Sequence, residues 1–183
     1  HTAALLSNAL RANPVNGLQV NILGTVILLE ACKKHDLRRI VMISSTTVLY
    51  SGFSTLGPEP IREDAALHLI SQRPGSLYAI SKLASEQIGL LYRDLHGLDT
   101  ISLRLGAVVG GDTSNPTSVP GRRFATLINA AGSGEEITLD DPLLIWKGPE
   151  EFVDVRDCAR AAVAALDAEK PRIQTGPRRP NER

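Results

Sequence analysis

The stretch 39–47 reads RIVMISSTT, a short apolar run that ends in the hydroxyl side chains of Ser44, Ser45, Thr46 and Thr47. Such a run, without alternating polar residues, is typical of a strand that is buried on both faces of a parallel sheet. Ligands of such sheets gather at the carboxyl ends of the strands. We therefore expect a ligand-facing strand end at these hydroxyls.

Amphipathic helices flank this strand on both sides. Apolar residues recur every three or four positions over 15–35 and over 77–95, and a second apolar strand follows at 100–105. The pattern predicts an α/β fold, a parallel sheet with helices on both faces.

The second half of the chain is more irregular. We expect a helix over 122–131, strand-like pieces around Ile137 and Phe152, and a helix over 155–169. The segment 50–75 is rich in Gly, Pro and Ser and predicts a long loop that serves a site.

Composition excludes several classes of function. The chain has 183 residues, 43% of them apolar, and 20 basic residues balance 20 acidic ones. It can bury the core of one domain, and its neutral charge disfavours nucleic acid or an anionic membrane as a partner. No targeting signal or uninterrupted apolar span is evident, so we expect a cytoplasmic protein.

Cysteine and histidine do not point to metal or redox chemistry. Cys32 and Cys158 lie far apart in apolar surroundings, which favours buried free thiols. The four histidines have no second ligand at helical or turn spacing, so no metal site is predicted.

Tyr78 and Lys82 are four residues apart on a predicted helix and therefore share one face. A nearby ammonium lowers the pKa of a phenol, which would let Tyr78 exchange protons at neutral pH. Ser45 could position a substrate oxygen for that transfer while a nicotinamide accepts hydride from the same carbon. The plain alternative is a tyrosine at the edge of the core with a solvated lysine one turn later.

Several separate segments agree with one family. The residues 1–4 (HTAA) look like a His-x-Ala-Ala turn, and the residues 21–25 (NILGT) look like an Asn-Val-x-Gly-Thr helix segment. The residues 43–48 (ISSTTV) look like the strand end that supplies a catalytic serine. The residues 78–86 (YAISKLASE) look like a catalytic helix, and 151–157 (EFVDVRD) like a return segment. Over 1–166 this order resembles the extended short-chain dehydrogenase/reductase family, which includes NAD-dependent sugar-nucleotide epimerases and dehydratases.

The resemblance implies a Rossmann-like doubly wound parallel sheet with a small irregular α/β substrate-binding portion. It implies that the glycine-rich phosphate turn and first strands lie upstream of His1, so we expect the natural protein to be longer. Residues 1–110 would form the carboxyl-side part of the dinucleotide-binding domain, 111–170 the substrate-binding portion with the return helix, and 171–183 a disordered tail.

The resemblance also assigns roles to residues. The catalytic residues would be Ser45, Tyr78 and Lys82. The cofactor, NAD or NADP with NAD preferred, would meet Ala3, Ala4, Asn21, Ser44, Tyr78 and Lys82, and a small-molecule substrate would meet Ser45, Thr46 and Arg122. A homodimer is compatible with the resemblance.

Alternatives stay open at this point. Ala107 stands where many sugar-nucleotide members have asparagine, so hydroxysteroid and flavanonol reductases are further models. Arg104, Arg122 and Arg123 could bind a substrate phosphate or could be surface charge. A non-catalytic binding or regulatory domain without the phosphate loop is the competing function.

Overall fold

The computed structural model describes residues 1–49, 76–110, 118–138 and 151–169. Within these ranges several helical segments precede the first strand, and helices separate most of the strands after it; a π-helical turn joins two of the helices. In chain order the elements are α1 (Ser7–Ala12), α2 (Pro14–Leu18), the π turn (Gln19–Leu23), α3 (Gly24–Lys34), β1 (Arg39–Ser45), α4 (Leu77–His96), β2 (Asp99–Leu105), β3 (Ala107–Val109), α5 (Val119–Ser133), β4 (Phe152–Asp154) and α6 (Val155–Asp167).

The strands pair in parallel. β1 pairs with β2 so that Ser44 lies opposite Arg104, and β3 pairs with β4. On the other edge of β1, the amino group of His1 donates to the Val41 carbonyl at 2.7 Å, and the His1 carbonyl accepts from the Ile43 amide at 3.0 Å. β1 therefore has backbone partners on both edges, as expected of a central strand.

One face of the β1–β2 sheet packs against α3 and α4. Its buried apolar cluster comprises Leu29, Cys32, Ile40, Met42 and Leu98. Gly89 permits the close approach of α4, because a Cβ at that position would lie only 2.4 Å from the Met42 Cε. α3 and α4 thus pack closely against β1 and β2.

The opposite face packs against α6. Arg39 at the start of β1 pairs with Asp99 of β2, with 2.6 Å between Nη2 and Oδ2. Its Nη1 also donates to the carbonyls of Ala165, Leu166 and Ala168 at the end of α6. Helices cover both faces of parallel strands, so the predicted α/β class is confirmed.

We expect Arg39→Ala to destabilise the protein by about 3 kcal/mol, because it leaves the buried Asp99 carboxylate unpaired and frees the end of α6. Urea unfolding of the variant measures this loss. Arg38→Ala is the matched control, since Arg38 is the exposed neighbour. Equally small losses of stability in the two variants would contradict this role of Arg39.

Most predicted elements are present, with shifted ends. α5 begins three residues before the predicted start because the Ser118 hydroxyl caps it, accepting from the Gly121 amide at 3.0 Å. Ile137 lies in no strand, whereas Phe152 does. The predicted loop 50–75 and tail 171–183 lie outside the described residues.

The continuous helix Pro14–Lys34 is long and apolar enough to cross a membrane by length and composition alone. Core helices pass the same test. Here Asn21, Thr25 and Leu29 on one face are buried against the rest of the protein, whereas Val15, Leu23 and Ile27 are exposed.

Candidate active site

A side-chain cap defines the start of α4, the helix that carries Tyr78 and Lys82. The Ser76 hydroxyl caps it by accepting from the Ala79 amide at 3.0 Å, which places Tyr78 in the first turn. Lys82 follows one turn later, and its Nζ lies 5.7 Å from the centroid of the Tyr78 ring. This distance is within the range of a cation–π contact, so the predicted pairing of the two side chains is present.

Lys82 also binds the end of β1. Its Nζ donates to the Ile43 carbonyl at 2.7 Å, and the residue is only 8% exposed. Burial lowers the pKa of Lys82, and the negative charge of Glu86 raises it in part. The lysine is therefore a desolvated cation between the Tyr78 ring and the strand end, well suited to influence a proton transfer.

Ser45 is the last residue of β1 and is buried. It comes two residues after the carbonyl that Lys82 contacts, and its Oγ accepts from the Thr47 amide at 3.3 Å. Thr46 follows it directly, in a short turn over 46–49. The structure thus brings Lys82 together with Tyr78 and with the strand end that carries Ser45 and Thr46.

Asn21 lies in the π turn and is 3% exposed. Its Nδ2 donates to the Leu5 carbonyl and to the Ser81 Oγ, both at 3.0 Å, and its Oδ1 accepts from the Leu5 amide at 2.7 Å. These bonds join the segment after His1 to α4 between Tyr78 and Lys82. The side chain shapes the site from within, and direct contact with a cofactor stays a prediction.

The remaining predicted cofactor residues surround a small cavity beside Lys82. Ala3, Ala4 and Ser44 line it together with Lys82. Ser44 is buried, and its hydroxyl already donates its proton in a hydrogen bond to Glu86. Its predicted role with the cofactor stays untested.

Glu86, one helical turn after Lys82, forms an ion pair with Arg104. Arg104 donates from Nε to Glu86 Oε1 at 3.0 Å and from Nη2 to Oε2 at 2.8 Å. The Glu86 carboxylate raises the pKa of Arg104. Arg104 is thus neither surface charge nor, through these nitrogens, a donor to a substrate phosphate. The sequence carried one signal of this role, a glutamate one helical turn after Lys82.

Arg122 lies in α5, which packs on β3. Its Nε and Nη2 are buried and have no hydrogen-bond partner within the described ranges. These donors suit an oxyanion, and the predicted substrate role of Arg122 stays a prediction.

The described part of the chain contains no cluster of three His, Cys, Asp or Glu side chains that could hold a metal ion.

Asp154 has a structural role at the start of α6. Its carboxylate caps α6 by accepting from the Arg156 amide at 2.8 Å, and it also pairs with the Arg156 guanidinium. The bonds from Arg156 hold the pKa of Asp154 well below its usual range. The acidic residue at this point belongs to the helix start.

This chain is similar in sequence to a described family and to several proteins of known function. A family model described as "NAD dependent epimerase/dehydratase family" matches residues 1–175. The L-arabinose 1-dehydrogenase (NAD(P)(+)) of Haloferax volcanii is 36% identical over 98 residues, which cover 51% of this chain and 39% of that protein. The UDP-glucuronate 4-epimerase 4 of Arabidopsis thaliana is 28% identical over 168 residues, which cover 91% of this chain and 36% of that protein.

A solved structure agrees with these relatives. The UDP-glucose 4-epimerase of Thermus thermophilus, in complex with NAD, superposes with a TM-score of 0.65 and 28% identity, covering 93% of this chain and 52% of that one. The chain therefore spans about half or less of the length of the relatives it matches. Its Rossmann-like fold and the arrangement of its segments agree with the sequence resemblance, and the chain belongs to the NAD-dependent epimerase/dehydratase family.

Proposed function

We propose that the whole protein transfers hydride to or from a hydroxyl-bearing carbon of a sugar, a sugar nucleotide or a similar small molecule, with NAD or NADP as cofactor. The observation that carries this proposal is the position of Lys82, which joins the Tyr78 ring to the carboxyl end of β1. A cation held between a phenol and a ligand-facing strand end suits proton transfer.

The chain's own residues would handle the proton. The Ser45 hydroxyl would hydrogen-bond the substrate oxygen and hold its O–H towards Tyr78, and the Tyr78 phenolate would take that proton as the C–H bond breaks. The ammonium of Lys82 would stabilise the phenolate and the developing charge. The substrate becomes a carbonyl compound, and the oxidised nicotinamide, when bound, supplies the hydride acceptor.

The residues present fit the nicotinamide end of such a cofactor. Ala3 and Ala4 are small and line the water-sized cavity beside Lys82. The Lys82 ammonium would donate to the hydroxyls of the adjoining ribose. Asn21 would act indirectly, by fixing the segment that follows Ala4.

The relatives support the substrate class. They include a dehydrogenase of L-arabinose and an epimerase of UDP-glucuronate, and both substrates carry secondary hydroxyls. Ala107, in β3, replaces the asparagine of many sugar-nucleotide members and weakens a nucleotide-specific assignment. Arg122, whose Nε and Nη2 have no hydrogen-bond partner among the described residues, is the proposed contact to a substrate oxyanion.

Cofactor binding tests the proposal directly. We expect NAD to raise the melting temperature of the whole protein saturably, with about 2.7 kcal/mol of added stability at a hundredfold excess over Kd. Thermal unfolding with NAD, NADP and AMP measures this, and sugars added to the NAD-loaded protein should yield NADH or an epimer. A folded protein that binds neither dinucleotide would favour the non-catalytic alternative.

Several expectations stay predictions from the sequence. They are a homodimer, a cytoplasmic location, the absence of nucleic-acid and membrane partners, and the domain limits 1–110, 111–170 and 171–183.

A further inference from the structure

Glu86 is a buried carboxylate whose role the proposed reaction does not explain. It is 4% exposed and lies one turn after Lys82 on α4. A carboxylate that only filled space there would be costly, because an apolar side chain of similar size packs without a desolvation penalty. Its hydrogen bonds therefore indicate what it does.

These bonds join both central strands to the catalytic helix. The Ser44 hydroxyl of β1 donates to Glu86 Oε1, and the Arg104 guanidinium of β2 donates to both carboxylate oxygens. Ser44 and Arg104 lie directly opposite each other in the parallel ladder. Glu86 thus holds the two strands at the same level, one residue before each strand ends.

Lys82 and Glu86 contact neighbouring parts of β1. The Lys82 Nζ donates to the Ile43 carbonyl, and Glu86 accepts from the side chain of the next residue, Ser44. Two side chains one helical turn apart therefore anchor the backbone immediately before Ser45. A displacement of this anchor would move Ser45 relative to Tyr78.

We propose that Glu86 is a positioning residue, which fixes the end of β1 through Ser44 and Arg104 and so aligns Ser45 and Lys82 with Tyr78. This inference rests on the proposed function for its catalytic meaning, but not for its structural content. Glu86 itself touches no reacting atom in this role.

Charged groups from several elements surround Lys82. Glu86 lies on its own helix together with Tyr78, Arg104 of β2 pairs with Glu86, and His1 lies along the edge of β1. The contribution of α3 is the uncharged Thr25. Among these groups Glu86 raises the pKa of Lys82, so the loss of its charge should lower it further.

The test is Glu86→Gln in the whole protein, with ε-¹³C-lysine NMR to follow the ionisation of Lys82, assigned by the loss of its signal in Lys82→Met. We expect Lys82 to lose its proton at lower pH than in the wild type. We also expect kcat to fall by about tenfold or more at an unchanged Kd for NAD, because small misplacements of catalytic groups are costly. Glu30→Gln, on the exposed surface of α3, is the matched control and should change neither.

Ser44→Ala keeps the experiment decisive if Glu86→Gln unfolds, because it removes one anchor and leaves the ion pair intact. It should lower kcat without shifting the Lys82 titration. An unchanged Lys82 titration in folded Glu86→Gln, or full activity in Ser44→Ala, would overturn the inference. A wild-type protein without turnover would overturn the proposed function instead, and the Lys82 titration would still decide the role of Glu86.

Discussion

Tyr78→Phe is expected to reduce kcat of the whole protein by about 10²–10⁴-fold, the usual contribution of a positioned acid or base. The substitution removes the phenolic oxygen and keeps the ring against which Lys82 lies. The fold and the Kd for NAD should therefore stay close to those of the wild type. Turnover of a sugar substrate and thermal unfolding, measured on the same preparation, separate the two effects.

Tyr92→Phe is the matched control for this experiment. Tyr92 lies on the same helix, and its hydroxyl donates to Glu30 Oε1 at 2.6 Å on the exposed side of α3. The Glu30 carboxylate raises the pKa of Tyr92, so this phenol is poorly suited to act as a base. Retained turnover in Tyr78→Phe, or an equal loss in Tyr92→Phe, would remove Tyr78 from the mechanism.

The sequence predicts the central elements well, because their signals are local. The apolar run before Ser45 and the periodicity of α4 arise from side chains that must be buried. The four-residue spacing of Tyr78 and Lys82 places them on one helix face wherever the helix packs. Their contact therefore followed from the sequence.

Features that depend on contacts distant in sequence were not predicted. The π turn around Asn21 gives no periodicity signal, and it is held by Leu5 and Ser81, which lie 16 and 60 residues away. The pairing of Glu86 with Arg104 depends on the register of β2, which sequence alone does not fix. Such polar contacts between elements decide how the site is held, whereas local pattern decides which residues reach it.

Lys82→Met should lower kcat by about 10²–10⁴-fold, on the same scale as the loss of a general acid or base, because the phenolate loses its neighbouring cation. The acid limb of the pH profile should move up towards pH 10, where an unperturbed phenol ionises. The wild-type profile should also have an alkaline limb below 10.5, the usual pKa of lysine, since burial lowers the pKa of Lys82. That limb should be absent from the variant.

Stability gives a second, independent measure of the same shift. Because the pKa of Lys82 is lower in the folded than in the unfolded protein, the unfolded chain binds more protons between the two values, and the free energy of unfolding rises with pH through that interval. Lys82→Met should lack this rise, whereas Lys33→Met, which removes an exposed ammonium from α3, should keep it. If the two variants have the same pH dependence of unfolding and of turnover, Lys82 is not the buried cation on which the proposed proton transfer depends.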